Sequence, residues 1–298
     1  MAITILYGIK GNTRDVTDIC RRRLINNNIM TIPAGDINRA YYFGDHLVGI
    51  VKSIYIILNG NESEYDIYHI LKINITDYTI ETEKIINIDE KLNGIHAKLQ
   101  IKYGSLREEY PEQKMAIRYL TGDEKVLEIG GNIGRNSLVI ASIINNDNFV
   151  TLECDTNIAK QLEENRDLNN LTFHIEKSAL SKRKLIQRGW DTKPSNVLEN
   201  GYSWVNTITL DELKEKYKIQ FDTLVLDCEG AFYYILMDMP EILNGVNLII
   251  MENDYYDIHH KEFVDTTLKE NNFYNCYREA GGWGCCYNNF FEAWKRIK

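Results

Sequence analysis

Val126-Leu127-Glu128-Ile129-Gly130-Gly131-Asn132-Ile133-Gly134 decides how the chain folds. An apolar run from Lys125 to Ile129 stops at a glycine turn, and Arg135 to Ile144 then carries apolar residues at helical spacing. That order predicts a strand, a tight turn and a helix, the opening of a βαβ unit. Gly130, Gly131 and Gly134 let the backbone turn sharply and let a ligand come close. A second apolar run, Val150 to Cys154, also ends in an acid. Glu153 lies about 20 residues beyond the turn, where nucleotide-binding folds place the carboxylate that holds ribose hydroxyls.

The turn separates two kinds of cofactor. A dinucleotide loop reads G-x-G-x-x-G and seats a pyrophosphate on the helix N-terminus. Here Asn132 takes the middle glycine position and Glu128 precedes the turn. A carboxylate there repels pyrophosphate and suits an ammonium. S-adenosylmethionine (SAM) carries an amino acid, a sulfonium and an adenosine, with no phosphate, and is the expected cofactor. The cofactor-binding set is Glu128, Gly130, Gly131, Asn132, Gly134, Glu153, Cys154, Ser178, Ala179 and Asp227.

Strand and helix patterns alternate onward from the turn. Helices are expected over 155–168, 209–217, 231–237 and 263–271, and strands over 171–176, 221–227 and 246–252. Thr209 and Glu212 form a capping box. Residues 182–206 read as polar and irregular. Phe273–Arg278 and Cys286–Phe291 could close the sheet as a hairpin around Gly281-Gly282-Trp283-Gly284. Upstream, Ser105 to Leu120 has helical spacing, with Ser105 and Glu108 as a capping box and Pro111 forced early or breaking the helix. This helix is expected to cover the cofactor site. The fold class is therefore α/β with a mostly parallel sheet covered on both faces.

Ligands in such sheets bind beyond the carboxyl ends of the strands at the switch point. Glu128, Glu153, Ser178, Asp227, Glu229 and Glu252 fall there. Asp227-Cys228-Glu229-Gly230 combines a strand-end acid with an abrupt turn. Methyl transfer to oxygen needs an aligned hydroxyl and a group to take its proton, which suits Asp227; the alternative is that it caps the next helix. Glu229 and His259 are the reserve catalytic candidates, since a histidine titrates near working pH. Asp227, Glu229 and Glu252 match the hard oxygen ligands of Mg²⁺, but no metal is expected. Trp190, Trp204 and Trp283 are read as loop residues, either packed or stacked on a sugar ring.

Residues of about 105–255 resemble the FkbM-type SAM-dependent methyltransferases. The resemblance runs through Glu128 to Gly134, Leu152-Glu153, Asn165, Asn169-Asn170, Ser178 to Ser181, Thr207 to Leu213 and Asp227 to Gly230, in that order. It implies a class I, Rossmann-like methyltransferase fold, O-methylation of sugar or polyketide-like hydroxyls, and SAM contacts at Glu128, Gly130, Glu153 and around Ser178. Val225 and Phe232 depart from the family, which often has Lys and an acid at those places; these bear on the acceptor and the base more than on SAM.

Residues 1–85 read as a small β-rich domain of sandwich or barrel type, with strands at 3–7, 46–51, 53–58 and 73–80 and a helix over 15–24. Tyr7-Gly8, Asp15-Val16-Thr17, Gly44-Asp45 and Gly49-x-x-Lys52 resemble a small β module found beside enzyme and co-chaperone domains. Tyr41-Tyr42-Phe43 could stack on a sugar, and core packing is the plainer reading. Residues 86–104 read as a connector and 105–298 as the methyltransferase domain, so a chain beginning near Asn93 is expected to keep SAM binding.

The net charge of −9 and the lack of a basic run speak against nucleic acid as a partner. No positive N-terminal region marks a signal peptide and no apolar run reaches ~20 residues, so neither export nor a membrane is expected. Six cysteines without a C-x-x-C pair fit free thiols in a reducing compartment, which makes the chain cytoplasmic by expectation. The function expected is O-methylation of a sugar, nucleotide sugar or glycan, with self-association left open. The rivals are an NAD(P)-dependent nucleotide-sugar enzyme and a non-catalytic glycan-binding protein. Tyr110-x-x-x-Lys114 precedes the glycine turn, the wrong order for a short-chain dehydrogenase.

Overall fold

The computed structural model describes residues 3–85, 87–189 and 191–297 and divides into two compact units, Met1–Asn87 and Ile88–Lys298.

In the smaller unit two four-stranded antiparallel sheets share one core. One is built on Ile3–Ile9 and Ser53–Leu58, the other on Ile29–Ile32 and His69–Asn74. The stretch 46–51 is a turn, where a strand was expected. Val48 and Val51 point into solvent while Lys52 is buried. The Lys52 ammonium explains the shape: its Nζ donates to the carbonyls of Leu47 and Ile50 at 3.2 and 2.6 Å and pairs with Asp36 and Asp45 at 3.1 and 2.8 Å. The loop wraps around that charge, and β-propensity yields to its solvation. The run 73–80 breaks into a hairpin because Asn74 and Asp77 accept from the backbone of Thr76 and Thr79, each at 2.9 Å. Of the aromatic triplet, Phe43 is core, and Tyr41 is exposed edge-on to Tyr42.

The larger unit carries a seven-stranded sheet: β1 (Val126–Ile129), β2 (Phe149–Leu152), β3 (His174–Glu176), β4 (Thr223–Leu226), β5 (Leu248–Glu252), β6 (Phe273–Glu279) and β7 (Phe291–Arg296). Its order is β3-β2-β1-β4-β5-β7-β6, with β7 antiparallel to both neighbours and the other pairings parallel. This is the Rossmann-like α/β architecture expected. Strands β1, β2 and β4 are buried along their whole length, as a sheet covered on both faces requires. Helices α1 (Ile88–His96), α2 (Tyr110–Tyr119), α3 (Arg135–Ala141), α4 (Thr156–Leu168), α5 (Leu210–Tyr217), α6 (Ala231–Asp238) and α7 (Ile258–Glu270) complete it. The order reverses between β1 and β4, which opens a crevice at their carboxyl ends.

Three local expectations change. The stretch 86–104 is not a bare connector, since it holds α1, whose Leu92 packs on Ile117 and Val139 of the larger unit. A chain beginning at Asn93 loses Leu92; it is expected to melt well below one beginning at Asn87, the missing leucine alone costing ~2–5 kcal/mol. Thermal unfolding of the two chains checks this. Secondly, α2 starts at Tyr110, not Ser105. Pro111 is tolerated only in the first turn and disfavours helix before it, so Ser105 caps a separate turn by accepting from Arg107 N at 3.2 Å. Thirdly, 182–206 holds a three-stranded antiparallel sheet of Leu185–Arg188, Asp191–Pro194 and Ser203–Val205. Its strands are too short and polar for a period-two signal. The Thr209–Glu212 capping box forms as read. Trp190 lies outside the described residues, and Trp204 is half exposed on the small sheet. Among the described residues no helix is long and apolar enough to cross a membrane.

Candidate active site

The glycine turn packs against its neighbours before it meets any ligand. Gly130, at φ 94°, lies so close to the carbonyl of Asp227 that a Cβ would sit 1.6 Å from that oxygen. At Gly131 a Cβ would fall 2.3 Å from Thr151 Oγ1, and at Gly134 it would fall 2.4 Å from Leu162 Cδ1. The glycines thus let β1, β2, β4 and α4 close up. Asn132 adopts φ 46°, and its backbone N–H donates to Glu153 Oε2 at 2.9 Å. Glu153 Oε1 accepts from Asp155 N at 2.8 Å, so two backbone amides fix the carboxylate in place.

A cavity of about 490 Å³ opens at the carboxyl ends of β1, β2, β4 and β5, within the range of small-molecule sites. Gly130, Asn132, Glu153, Cys154, Ser178, Ala179, Asp227 and Glu229 line it, as does Trp283 beside Tyr256. Leu185, Gln187, Thr192 and Pro194 of the small sheet add a wall. Ser178 Oγ donates to Glu176 Oε1 at 2.9 Å, and Glu176 in turn is held by Lys216 and Tyr217.

Four expected site residues are absent from this lining. Gly131 and Gly134 serve the packing just described. Glu128 is buried behind the turn, where Ser137 Oγ donates to it and Asn136 Nδ2 lies at 3.4 Å. An ammonium in the cavity does not meet it. His259 stands on the first turn of α7, which Asp257 caps; its side chain is 80% exposed and pairs with Glu262 at 3.1 Å. It lies outside the cavity lining.

Lining acids that the sequence does not single out include Glu109 and Glu112 from the start of α2 and Asp254 just beyond β5. The i, i+3 spacing of Glu109 and Glu112 at a Pro-marked helix start was the available signal. With Glu153, Asp227, Glu229, Asp238 and Glu252 they make eight carboxyl groups around one cavity. Arg183 is the one cationic side chain in the lining among the described residues, and Asp238 already binds it at 2.5 and 2.7 Å. Glu109 pairs with Arg135 at 2.7 Å. The rest crowd together. Burial, then the charges of Glu109, Asp254 and Glu112, hold Asp227 well above the usual carboxylate range. Burial, a hydrogen bond with Glu112 and the charge of Asp227 likewise hold Glu252 above that range.

Glu128 makes a separate prediction. Burial pushes it up to about 7, against the opposing hydrogen bond from Ser137. An unfolded glutamate loses its proton near ~4.3, so between there and 7 the folded chain binds the extra proton. Stability therefore falls as pH rises through that window and stays low above it. Glu128→Gln removes the cost: at about pH 8 it should raise stability by ~3–4 kcal/mol, with little change at about pH 4. Thermal melts across pH read the difference.

No family model matches the chain, and no curated protein matches it. Solved structures similar to it include ribosomal protein L11 methylase from Lactobacillus delbrueckii subsp. bulgaricus, at 13% identity and TM-score 0.43 over 66% of this chain and 82% of that one. An O-methyltransferase from Bacillus cereus in complex with SAH gives 16%, 0.39, 71% and 91%. The m1A22 tRNA methyltransferase of B. subtilis gives 10%, 0.42, 67% and 68%. At these values the likeness carries nothing about substrate or residue roles.

Proposed function

We propose that the larger unit is a SAM-dependent methyltransferase that methylates a hydroxyl of a sugar, nucleotide sugar or glycan. The observation that carries this reading is the charge of the cavity. Glu153, fixed at the end of β2, faces a site with eight carboxyl groups and one cation already paired. A dinucleotide's pyrophosphate would meet acids there, whereas a nucleoside with a sulfonium and an ammonium meets favourable charge. The same charge disfavours a nucleic-acid backbone as the acceptor.

Glu153 keeps free lone pairs for a ribose diol, and Gly130 and Asn132 offer a close backbone approach. Cys154, Ser178 and Ala179 line the way between β2 and β3. SAM supplies the methyl group. Transfer breaks its S–CH₃ bond, forms a C–O bond to the acceptor and releases S-adenosylhomocysteine and one proton. Asp227 orients the acceptor hydroxyl and takes that proton; a carboxylate held above its ordinary range by burial and neighbouring acids is a stronger base than an exposed one. Glu229, exposed at the rim of the same lining, is the reserve candidate. Trp283, with Tyr256 4.5 Å away, gives the mouth an aromatic face for a sugar ring.

Glu153→Ala is expected to weaken SAM by ~1.5–3 kcal/mol, the usual size for a hydrogen bond to a charged group. Methyl transfer from labelled SAM to free sugars, nucleotide sugars and glycans tests the acceptor class. Unchanged SAM affinity in the variant removes Glu153 from the site, and labelling confined to tRNA or protein rejects the sugar reading.

A further inference from the structure

Four acids meet at one end of the cavity from separate parts of the chain: Glu112 on α2, Asp227 after β4, Glu252 at the end of β5 and Asp254 just beyond it. One carboxylate oxygen from each of Asp227, Glu252 and Asp254 lies within 4.8 Å of the others. Ligands on opposite sides of a divalent ion at ~2.1–2.5 Å stand ~4.2–5 Å apart, so three oxygens at this spacing can close on one ion. A second observation points the same way. Glu112 and Asp254 are each only 6% exposed and line the cavity, yet Glu112 Oε2 and Asp254 Oδ2 have no hydrogen-bond donor among the described residues. Buried carboxylate oxygens are ordinarily partnered, and the one lining cation is fixed on Asp238.

We propose that Asp227, Glu252 and Asp254 bind a divalent cation, Mg²⁺ or Mn²⁺, with Glu112 accepting from one of its waters. The donors are hard oxygens, which select such ions over zinc. Three carboxylates leave roughly half of an octahedral shell open to the cavity. An acceptor with two adjacent oxygens, as in a vicinal diol, fills those positions, and the ion lowers the pKa of the hydroxyl it holds. This use of the ion rests on the methyltransferase reading; binding of the ion does not. The sequence pointed to Asp227, Glu229 and Glu252 as oxygen donors, and the geometry replaces Glu229 with Asp254.

The test is a Mn²⁺ titration of the whole chain, stripped with chelator and free of SAM, with free Mn²⁺ read by electron paramagnetic resonance. The wild type is compared with Glu252→Gln and Asp254→Asn, and with Glu163→Gln, whose partner is Lys177 away from the cavity lining. One saturable site is expected, displaced by Mg²⁺, weakened about tenfold or more in the first two variants and unchanged in the third. Circular dichroism melts confirm that each variant is folded. Absence of saturable Mn²⁺ binding to the folded wild type, or equal binding in Glu252→Gln and Asp254→Asn, overturns the proposal. SAM affinity is measured in parallel: SAM binding without Mn²⁺ binding sinks the metal site alone, and Mn²⁺ binding without SAM binding sinks the methyltransferase reading alone.

Discussion

Asp227→Asn is expected to lower methyl transfer by ~10²-fold or more while leaving SAM affinity within a few-fold. The substitution keeps size and hydrogen bonding and removes the negative charge. Asp227 sits in the crevice where the strand order reverses, with Glu252 and Asp254 facing it. Its backbone carbonyl is the oxygen that presses on Gly130, so the side chain is delivered by a rigid turn rather than a mobile loop. Sugar hydroxyls are very weak acids, so alignment contributes alongside proton removal. Equal turnover of wild type and variant on an accepted hydroxyl substrate removes Asp227 from catalysis. Loss of SAM binding together with turnover places it in the cofactor site instead.

Gly130→Ala is expected to destabilise the larger unit by ~4 kcal/mol or more. The added Cβ would lie 1.6 Å from the Asp227 carbonyl oxygen at a φ of 94°, so both the contact and the backbone conformation oppose it. Backbone cannot yield as a flexible side chain can. The melting temperature should fall by roughly 10 °C or the chain should fail to accumulate in soluble form. Gly94→Ala is the matched contrast. It lies inside α1 with nothing within 4 Å of its added Cβ and no positive φ, so it should gain ~0.5–1 kcal/mol. Equal melting of the two variants refutes the close-packed turn.

The parallel core was legible because its strands are short, wholly apolar runs that end in acids, and because the glycine turn fixes where the first crossover begins. Glu153 falls just beyond β2 in the cavity lining, where spacing alone puts it, since the strand–turn–helix geometry leaves little freedom in where β2 ends. Glu128 was misread for a physical reason. Strand residues alternate faces, and nothing in one sequence says which face of β1 looks towards the cavity; it turned out to be the helix-facing side, under Ser137. The chemistry of His259 suits a base, but the Asp257 cap starts α7 early and leaves the imidazole exposed, outside the cavity lining. The helix of Glu109 and Glu112 is expected over the site, but its pattern alone does not say which of its side chains face the cavity; tertiary packing decides that. In the smaller unit, Lys52 overrode local β-propensity by burying a charge that needed the 46–51 loop around it. The small sheet over 185–205 has no apolar period to read; it stands out only when its strands pair.

The measurement that bears most directly on the central claim is calorimetry of the whole wild-type chain with SAM, S-adenosylhomocysteine and NAD⁺ in turn. The account predicts a one-to-one isotherm with SAM and with S-adenosylhomocysteine, weakened by Glu153→Ala, and no heat of binding with NAD⁺. Saturable binding of NAD⁺ with none of SAM or S-adenosylhomocysteine would contradict it.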